Sequence, residues 1–459
     1  MKLPSRINDG SFLKQSAFLR EKSKKGKTLS MKIWNKWTKN LLCLALAASL
    51  SVSLFGCDLK QFYKDVSEGL DNFLSNSSEI ETDTDSSDTA TDSDSSDTAT
   101  DSDSSDTATD SDSSDTATDT DSSDTATDTD SSGGILETEA LSIHFLELGN
   151  QYTGDCTLID IGDTEILVDA GSRKNSATTI KSYVDKYCED GVLEYVIATH
   201  ADQDHIAAFV GNSGSPLRTG ILYQYQVGTL IQFARTGKNT QIYKDYCTAV
   251  EYAKGKGTAV YTALECWNNE NGANRSYTLG DGITMNFLYQ EFYEKSTSDE
   301  NDYSVCFLLT QGENNYLFTG DLEKKGEASL VANNALPKCK LYKGGHHGSP
   351  TSSTDALLSI IQPEIVCVCC CAGSDEYTDT AANQFPSQAF IDRIAPYTDK
   401  VYVTTMISSD GSKGISMNGN IVVSCPDGKN VMVTGTNNSL ILKDTEWFKA
   451  SRTMPSAWQ

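Results

Sequence analysis

Four of the chain's five histidines fall in two short motifs. His200 and His205 lie in Thr199-His-Ala-Asp-Gln-Asp-His205, and His346 and His347 lie in Lys343-Gly-Gly-His-His-Gly-Ser349. Imidazole is the commonest metal ligand among side chains, and His/Asp clusters at turn spacing are what a site for a divalent ion requires. His200, Asp202, Asp204 and His205 place four donors in six residues. On a tight turn they cannot all face one ion, so the spacing predicts two adjacent ions. Asp321 follows an apolar run and can bridge them, while the His346-His347 pair brings imidazole from a third place in the chain. Two divalent ions about 3.5–4 Å apart acidify a shared water and clamp a phosphoryl or carbonyl oxygen. The fifth histidine, His144, precedes an apolar run and reads as a strand residue.

The elements that must position these groups follow from hydrophobic patterning. Ser142-Ile-His-Phe-Leu-Glu-Leu reads as a strand. The runs Cys156–Ile161 and Glu165–Asp169 pair as a hairpin across Gly162-Asp163. Further strands are predicted at Leu193–Ala198, Ile283–Leu288, Val305–Leu309, Asn315–Phe318, Lys340–Tyr342, Ile365–Cys371 and Val401–Thr405. Helices are predicted at Ser176–Cys188, Lys244–Lys254, Glu323–Asn333, Asp355–Ile361 and Ser387–Ile394. Runs of strands followed by strand–helix alternation predict an α/β (α+β) fold, with sheets covered by helices. Each histidine motif sits where a strand gives way to a loop, which is where a rigid scaffold presents reactive groups. Asp169, at one such end, is either an outer partner for a ligand histidine or a strand-end cap. Cys367-Val-Cys-Cys-Cys371 reads as a buried strand that uses Cys as a small apolar residue.

The motifs occur in one order along residues 140 to 425: His144-Phe-Leu-Glu-Leu-Gly149 with Gly154-Asp155, Ile166-Leu-Val-Asp-Ala-Gly171, Thr199 to His205, Asn301-Asp-Tyr-Ser304, Leu317-Phe-Thr-Gly-Asp321 and His346-His-Gly-Ser349. In these residues the chain resembles the metallo-β-lactamase superfamily, and within it the ComEC-type domain of DNA-uptake proteins. The resemblance implies an αββα sandwich with Zn²⁺ or Mn²⁺ ions in a cleft at one edge. It implies that His200 and Asp202 hold the first metal and that Asp204, His205 and His346 hold the second, with Asp321 bridging. Asp202 stands where many members have a second histidine, and no histidine remains as a separate third ligand of the first site. That site is therefore harder, which makes Mn²⁺ a candidate beside Zn²⁺. Asp204 and His347 are carried over as catalytic groups, His347 facing substrate as a phosphate contact or proton donor. Asn301, Ser304 and Ser349 are carried over as polar substrate contacts. The family often has a histidine after the last strands; Asn383-Gln-Phe-Pro-Ser387 lacks it.

The rest of the chain reads as an address and a tether. Residues 86–130 are five copies of a nine-residue Ser/Asp/Thr/Ala unit with no large apolar side chain, so no core can form there. Nineteen acidic residues and no Lys or Arg lie between Glu79 and Asp130, leaving −8 of the −27 net charge for everything else. The acidity therefore belongs to the linker and says little about substrate. Met31 opens a basic stretch, an apolar run follows, and Leu54-Phe-Gly-Cys57 resembles a lipobox with Cys57 lipidated. The expected organisation is an N-terminal extension and lipoprotein signal (1–57), an amphipathic membrane-proximal segment (58–77), an acidic repeat linker (78–137), the metallo-β-lactamase-like domain (138–425) and a C-terminal tail packed on it (426–459). The expected function is a metal-dependent hydrolase at the extracellular face of a bacterial membrane, most simply a phosphodiesterase using activated water. Nucleic acid is one candidate substrate, although no long basic stripe supports it. The other readings are a surface binding or scaffold protein with structural metals, and a thioester or lactone hydrolase.

Overall fold

The computed structural model describes residues 138–212 and 218–459. The signal, Cys57, the segment 58–77 and the linker 78–137 lie outside these residues. Among the described residues no helix is long and apolar enough to cross a membrane.

Sixteen strands form two sheets of eight. In chain order the first sheet receives β1 (Leu141–Phe145), β2 (Thr157–Ile161), β3 (Thr164–Val168), β4 (Val192–Ala198), β5 (Gln226–Gln232) and β6 (Ala259–Thr262). The second sheet receives β7 (Ser276–Gly280), β8 (Ile283–Phe287), β9 (Phe307–Gln311), β10 (Asn314–Phe318), β11 (Leu341–Lys343), β12 (Ile365–Ala372), β13 (Val401–Ile407) and β14 (Gly414–Ser416). The chain then returns to the first sheet with β15 (Ile421–Cys425) and β16 (Met432–Gly435). The spatial orders are β16-β15-β1-β2-β3-β4-β5-β6 and β14-β13-β12-β11-β10-β9-β8-β7. Phe145 stacks on Phe318 with ring centroids 6.5 Å apart, and Phe318 stacks on Phe307 at 4.6 Å, so the core between the sheets is aromatic near the site. Helices cover both outer faces, giving the αββα sandwich. Ile180, Phe209 and Tyr246 belong to the apolar cluster of the first sheet, while Leu330, Leu358 and Phe390 belong to the outer cluster of the second.

Strand β12 is buried along its whole length. Cys367 and Cys369 join the cluster shared with the first sheet, and Val366, Val368 and Cys370 join the outer cluster. A strand covered on both faces tolerates no polar alternation, which accounts for the cysteine run. The eleven cysteines of the described residues are free thiols, all buried except the partly exposed Cys247. Beyond residue 425, β16 pairs antiparallel with β15, and Leu442, Phe448 and Trp458 enter the outer cluster.

The topology explains why distant residues meet. Strands β3 and β4 run parallel, so Asp169 and His200 emerge at one edge. Strand β2 is antiparallel to β3, which places Asp155, just before β2, at that same edge. In the second sheet β10 and β11 are parallel, and Asp321 and the His346-His347 pair follow them.

Candidate metal centre

The motif from Thr199 to His205 is not a turn throughout. Asp202 is extended, and a helix begins at Gln203 and runs to Val210, so Asp204 and His205 occupy its first turn. The loops around it are stitched by backbone bonds: Asp155 N–H donates to Asp204 O (3.0 Å), Ala170 N–H to His205 O (2.7 Å) and Gly171 N–H to Asp155 O (2.8 Å). A Cβ at Gly171 would lie 1.4 Å from the Asp204 carbonyl oxygen, so no other residue fits there.

Asp169 sits at a positive φ of 56° and fixes what surrounds it. Its carboxylate accepts from the Thr199 N–H (2.8 Å) and hydroxyl (2.7 Å), and its Oδ2 lies 2.8 Å from His205 Nδ1. This contact turns the other imidazole nitrogen inward. His205 Nε2 lies 3.0 Å from Asp321 Oδ2 and 3.2 Å from His347 Nε2. His347 Nε2 is 3.1 Å from Asp321 Oδ2 and 3.4 Å from Asp204 Oδ2. The opposite His347 nitrogen, Nδ1, is 2.8 Å from the Cys369 carbonyl oxygen and 3.1 Å from Asp155 Oδ1.

The histidine pair does not sit as the family resemblance implies. It is His347 whose ring enters the buried cluster. His346 points to the rim, 3.1 Å from Glu323 and 3.2 Å from Thr351, with its Nε2 4.0 Å from Asp321 Oδ2. Consecutive positive φ values, 45° and 54°, separate the two side chains. His200 is fully buried, with its ring 4.1 Å from that of His205 and its Nε2 3.6 Å from Asp202 Oδ2. Asp202 also pairs with Lys238. Ser304 Oγ accepts from the Asp321 N–H at 3.0 Å, so it positions the aspartate from below. Asn301 reaches Glu323 at 3.4 Å, and Ser349 bonds Thr351 at 2.8 Å, both at the rim beside His346.

Three residues in the site were not singled out for it by sequence. Asp155 joins His205, Asp321 and His347 in a buried group whose donor atoms all lie within 4.8 Å of one another. Its one sequence signal is the Gly154-Asp155 step before a strand. Lys343, the last residue of β11, is buried against Asp155. Tyr377, on the loop before Asn383, donates its phenol to Asp204 Oδ2 at 2.7 Å.

The electrostatics suit a cation. Burial alone would lower the His205 and His347 pKa values, but Asp321, with Asp169 for His205 and Asp155 for His347, raises both well above the ordinary imidazole range. Burial would raise the Asp321 carboxyl, yet His205 and His347 hold it well below the carboxylate range. Burial pushes His200 down to about 4, so its imidazole is neutral, the form that ligates. Buried His200 Nε2 and Asp321 Oδ1 have no hydrogen-bond partner, a rare condition that an ion would relieve. Donors about 2.0–2.2 Å from a shared ion stand roughly 3.3 Å apart around a tetrahedron. The separations of 3.0 to 3.2 Å among His205 Nε2, His347 Nε2 and Asp321 Oδ2 fit that requirement, and Asp204 Oδ2 lies 3.4 Å from His347 Nε2.

Residues 149–211 match the family model described as the metallo-beta-lactamase superfamily. The chain is 28% identical over 219 residues to Recombination protein 2 of Haemophilus influenzae, covering 47% of this chain and 23% of that protein. It is 32% identical over 129 residues to Competence protein ComA of Neisseria gonorrhoeae, covering 28% of this chain and 17% of that one. It thus spans less than a quarter of the length of these relatives. Among solved structures it is similar to the metallo-beta-lactamase fold protein YhfI from Bacillus subtilis, with 11% identity, a TM-score of 0.33, and coverage of 59% of this chain and 97% of that one. Residues 149–211 thus carry the metallo-beta-lactamase superfamily match, and the described domain resembles the competence-protein type.

Proposed function

We propose that this hydrolase-like metal domain is a phosphodiesterase, exported and held at the outer face of the membrane through Cys57. The observation that carries the reading is the convergence of His205 Nε2, His347 Nε2 and Asp321 Oδ2 from three separate strand ends, with Asp204 Oδ2 against His347. A divalent ion bound there would act as a Lewis acid on a phosphoryl oxygen and lower the pKa of water. The chain's own groups do the rest. Asp169 holds the His205 ring in its tautomer, and Ser304 holds Asp321. The Tyr377 phenol fixes Asp204.

His346 takes the outward role that the family resemblance gives to His347. It is partly exposed at the rim and leans on Glu323. Burial would raise that carboxyl, but the hydrogen bond with His346 brings it down to about 2, so it stays anionic beside the His346 ring, which is placed to meet a leaving oxygen. Ser349 and Asn301 line the same rim through Thr351 and Glu323. A phosphodiester is preferred because the relatives' names speak of recombination and competence. The activated groups need no protein nucleophile.

The test is turnover of bis-p-nitrophenyl phosphate and single-stranded DNA by the full chain with Mn²⁺ or Zn²⁺. Hydrolysis that disappears in Asp321→Ala and His347→Ala is expected. Turnover of thioesters or lactones with neither phosphodiester cleaved would retire the phosphodiesterase reading. Extraction into detergent that is lost in Cys57→Ala would support the anchor, and unchanged partitioning would remove it.

A further inference from the structure

Two carboxylates of the site, Asp155 within the buried group and Asp202 beside it, are each already paired with a lysine. Lys343 is buried, with its ammonium on Asp155 Oδ2 and 4.0 Å from Asp321 Oδ1. Its other polar contact is the Gly344 carbonyl oxygen at 3.4 Å. Its backbone is clamped in β11 between β10 and β12, so the charge cannot swing out to water. A buried charge without partners costs several kcal/mol and is not left unpaired, so Asp155 and Lys343 hold each other. Lys238, on the loop after β5, pairs with Asp202 Oδ1 and is partly exposed.

The donors remaining for a second ion are His200 Nε2, Asp202 and Asp321 Oδ1. Of these, Asp202 is held by Lys238, and Asp321 Oδ1 faces Lys343. The set of His205 Nε2, His347 Nε2 and Asp321 Oδ2, with Asp204 Oδ2 beside His347, has no such competitor: no lysine or arginine contacts the Asp204 carboxylate or Asp321 Oδ2 among the described residues. We propose that the centre takes one tightly held divalent ion, in that set, and that the Lys343 ammonium is the site's fixed second positive charge. Lys343 is then a positioning residue: it fixes Asp155, which in turn fixes His347 through Nδ1. The inference rests on the metal-centre reading above and deepens it by setting the number of ions.

The experiment uses the full chain, stripped with chelator and re-equilibrated with Mn²⁺. Ions per chain are counted by mass spectrometry, and Mn²⁺ coupling is read by electron paramagnetic resonance. About one ion per chain with an isolated-ion spectrum is expected, because one preorganised donor set is available. Two ions per chain with an exchange-coupled spectrum would overturn the single-ion assignment and leave the hydrolase reading standing. No bound ion would overturn both. Releasing the two carboxylates in Lys343→Met combined with Lys238→Ala should raise the count towards two, whereas Lys343→Arg should keep it at one. A folded double variant that still binds one ion would overturn the role given to the lysines. If the double variant does not fold, the wild-type count and Lys238→Ala, whose site is partly exposed, still decide the number.

Discussion

At the scale of single residues, the motifs pointed to candidate donors but not to their directions. His200, Asp202, Asp204, His205 and Asp321 were legible because their types are scarce or clustered and each follows an apolar run. Which of His346 and His347 turns inward was not legible, since two successive left-handed residues set it and no periodicity encodes them. Asp155 and Lys343 were missed for the opposite reason: an aspartate before a strand and a lysine at its end are ordinarily solvated. The site makes two predictions at this scale. Asp321→Ala and His347→Ala should each abolish stoichiometric metal binding, while His346→Ala should retain it and lose turnover. Calorimetric titration with Zn²⁺ checks this, and metal lost on removing His346 would reverse the assignment of the pair. Asp169→Asn keeps the shape but weakens the hold on His205 Nδ1, and should cost about 10–100-fold in metal affinity. Unchanged affinity would reduce Asp169 to a cap for Thr199.

At the scale of elements, most strands could be read, because β2, β3, β4, β10 and β12 are apolar runs bounded by turn residues. The helix Gln203–Val210 could not. Its residues from His205 to Val210 are all buried, so it lacks the alternating face that marks a helix, and its start is hidden inside a ligand motif. Strands β6, β14 and β16 are short, three or four residues each, and none contains a fully buried residue, which leaves little apolar pattern to find. One element carries a pH response. His144 on β1 lies between the Ser142 hydroxyl (2.7 Å) and the Tyr183 hydroxyl (2.9 Å) of the helix Ser176–Val184, and burial lowers its pKa to about 4. The unfolded chain therefore binds a proton there that the fold does not. The neutral ring's contribution is complete above the unfolded value near 6.5 and is lost as pH falls towards 4, up to about 3 kcal/mol. Thermal melts of wild type and His144→Gln should diverge less at pH 4.5 than at pH 7.5. Parallel curves across that range would count against this residue as the source.

At the scale of the whole molecule, the centre is a seam between the two sheets. The first supplies Asp155, His200, Asp204 and His205 at its edge, and the second supplies Asp321, Lys343 and His347. An ion in the seam ties the halves together, so its binding should appear as stability: about 2.7 kcal/mol at a free concentration a hundredfold above Kd. A melting temperature that chelator does not lower would contradict this. The C-terminal stretch is equally structural. Trp458 is buried in the outer cluster and donates its indole N–H to the Thr398 carbonyl oxygen at 2.9 Å. Trp458→Ala should cost roughly 3–5 kcal/mol in urea unfolding, and a loss below 1 kcal/mol would mean the tail is only loosely laid down. The cysteines add a practical consequence. Every described thiol but Cys247 is enclosed, and burial pushes those of Cys339, Cys369 and Cys371 up to about 12. Among the described residues, a brief pulse of an alkylating reagent at neutral pH should therefore mark a single position while the chain is native, and the rest only as each region opens. The molecule is its own chemical recorder of where it first comes apart.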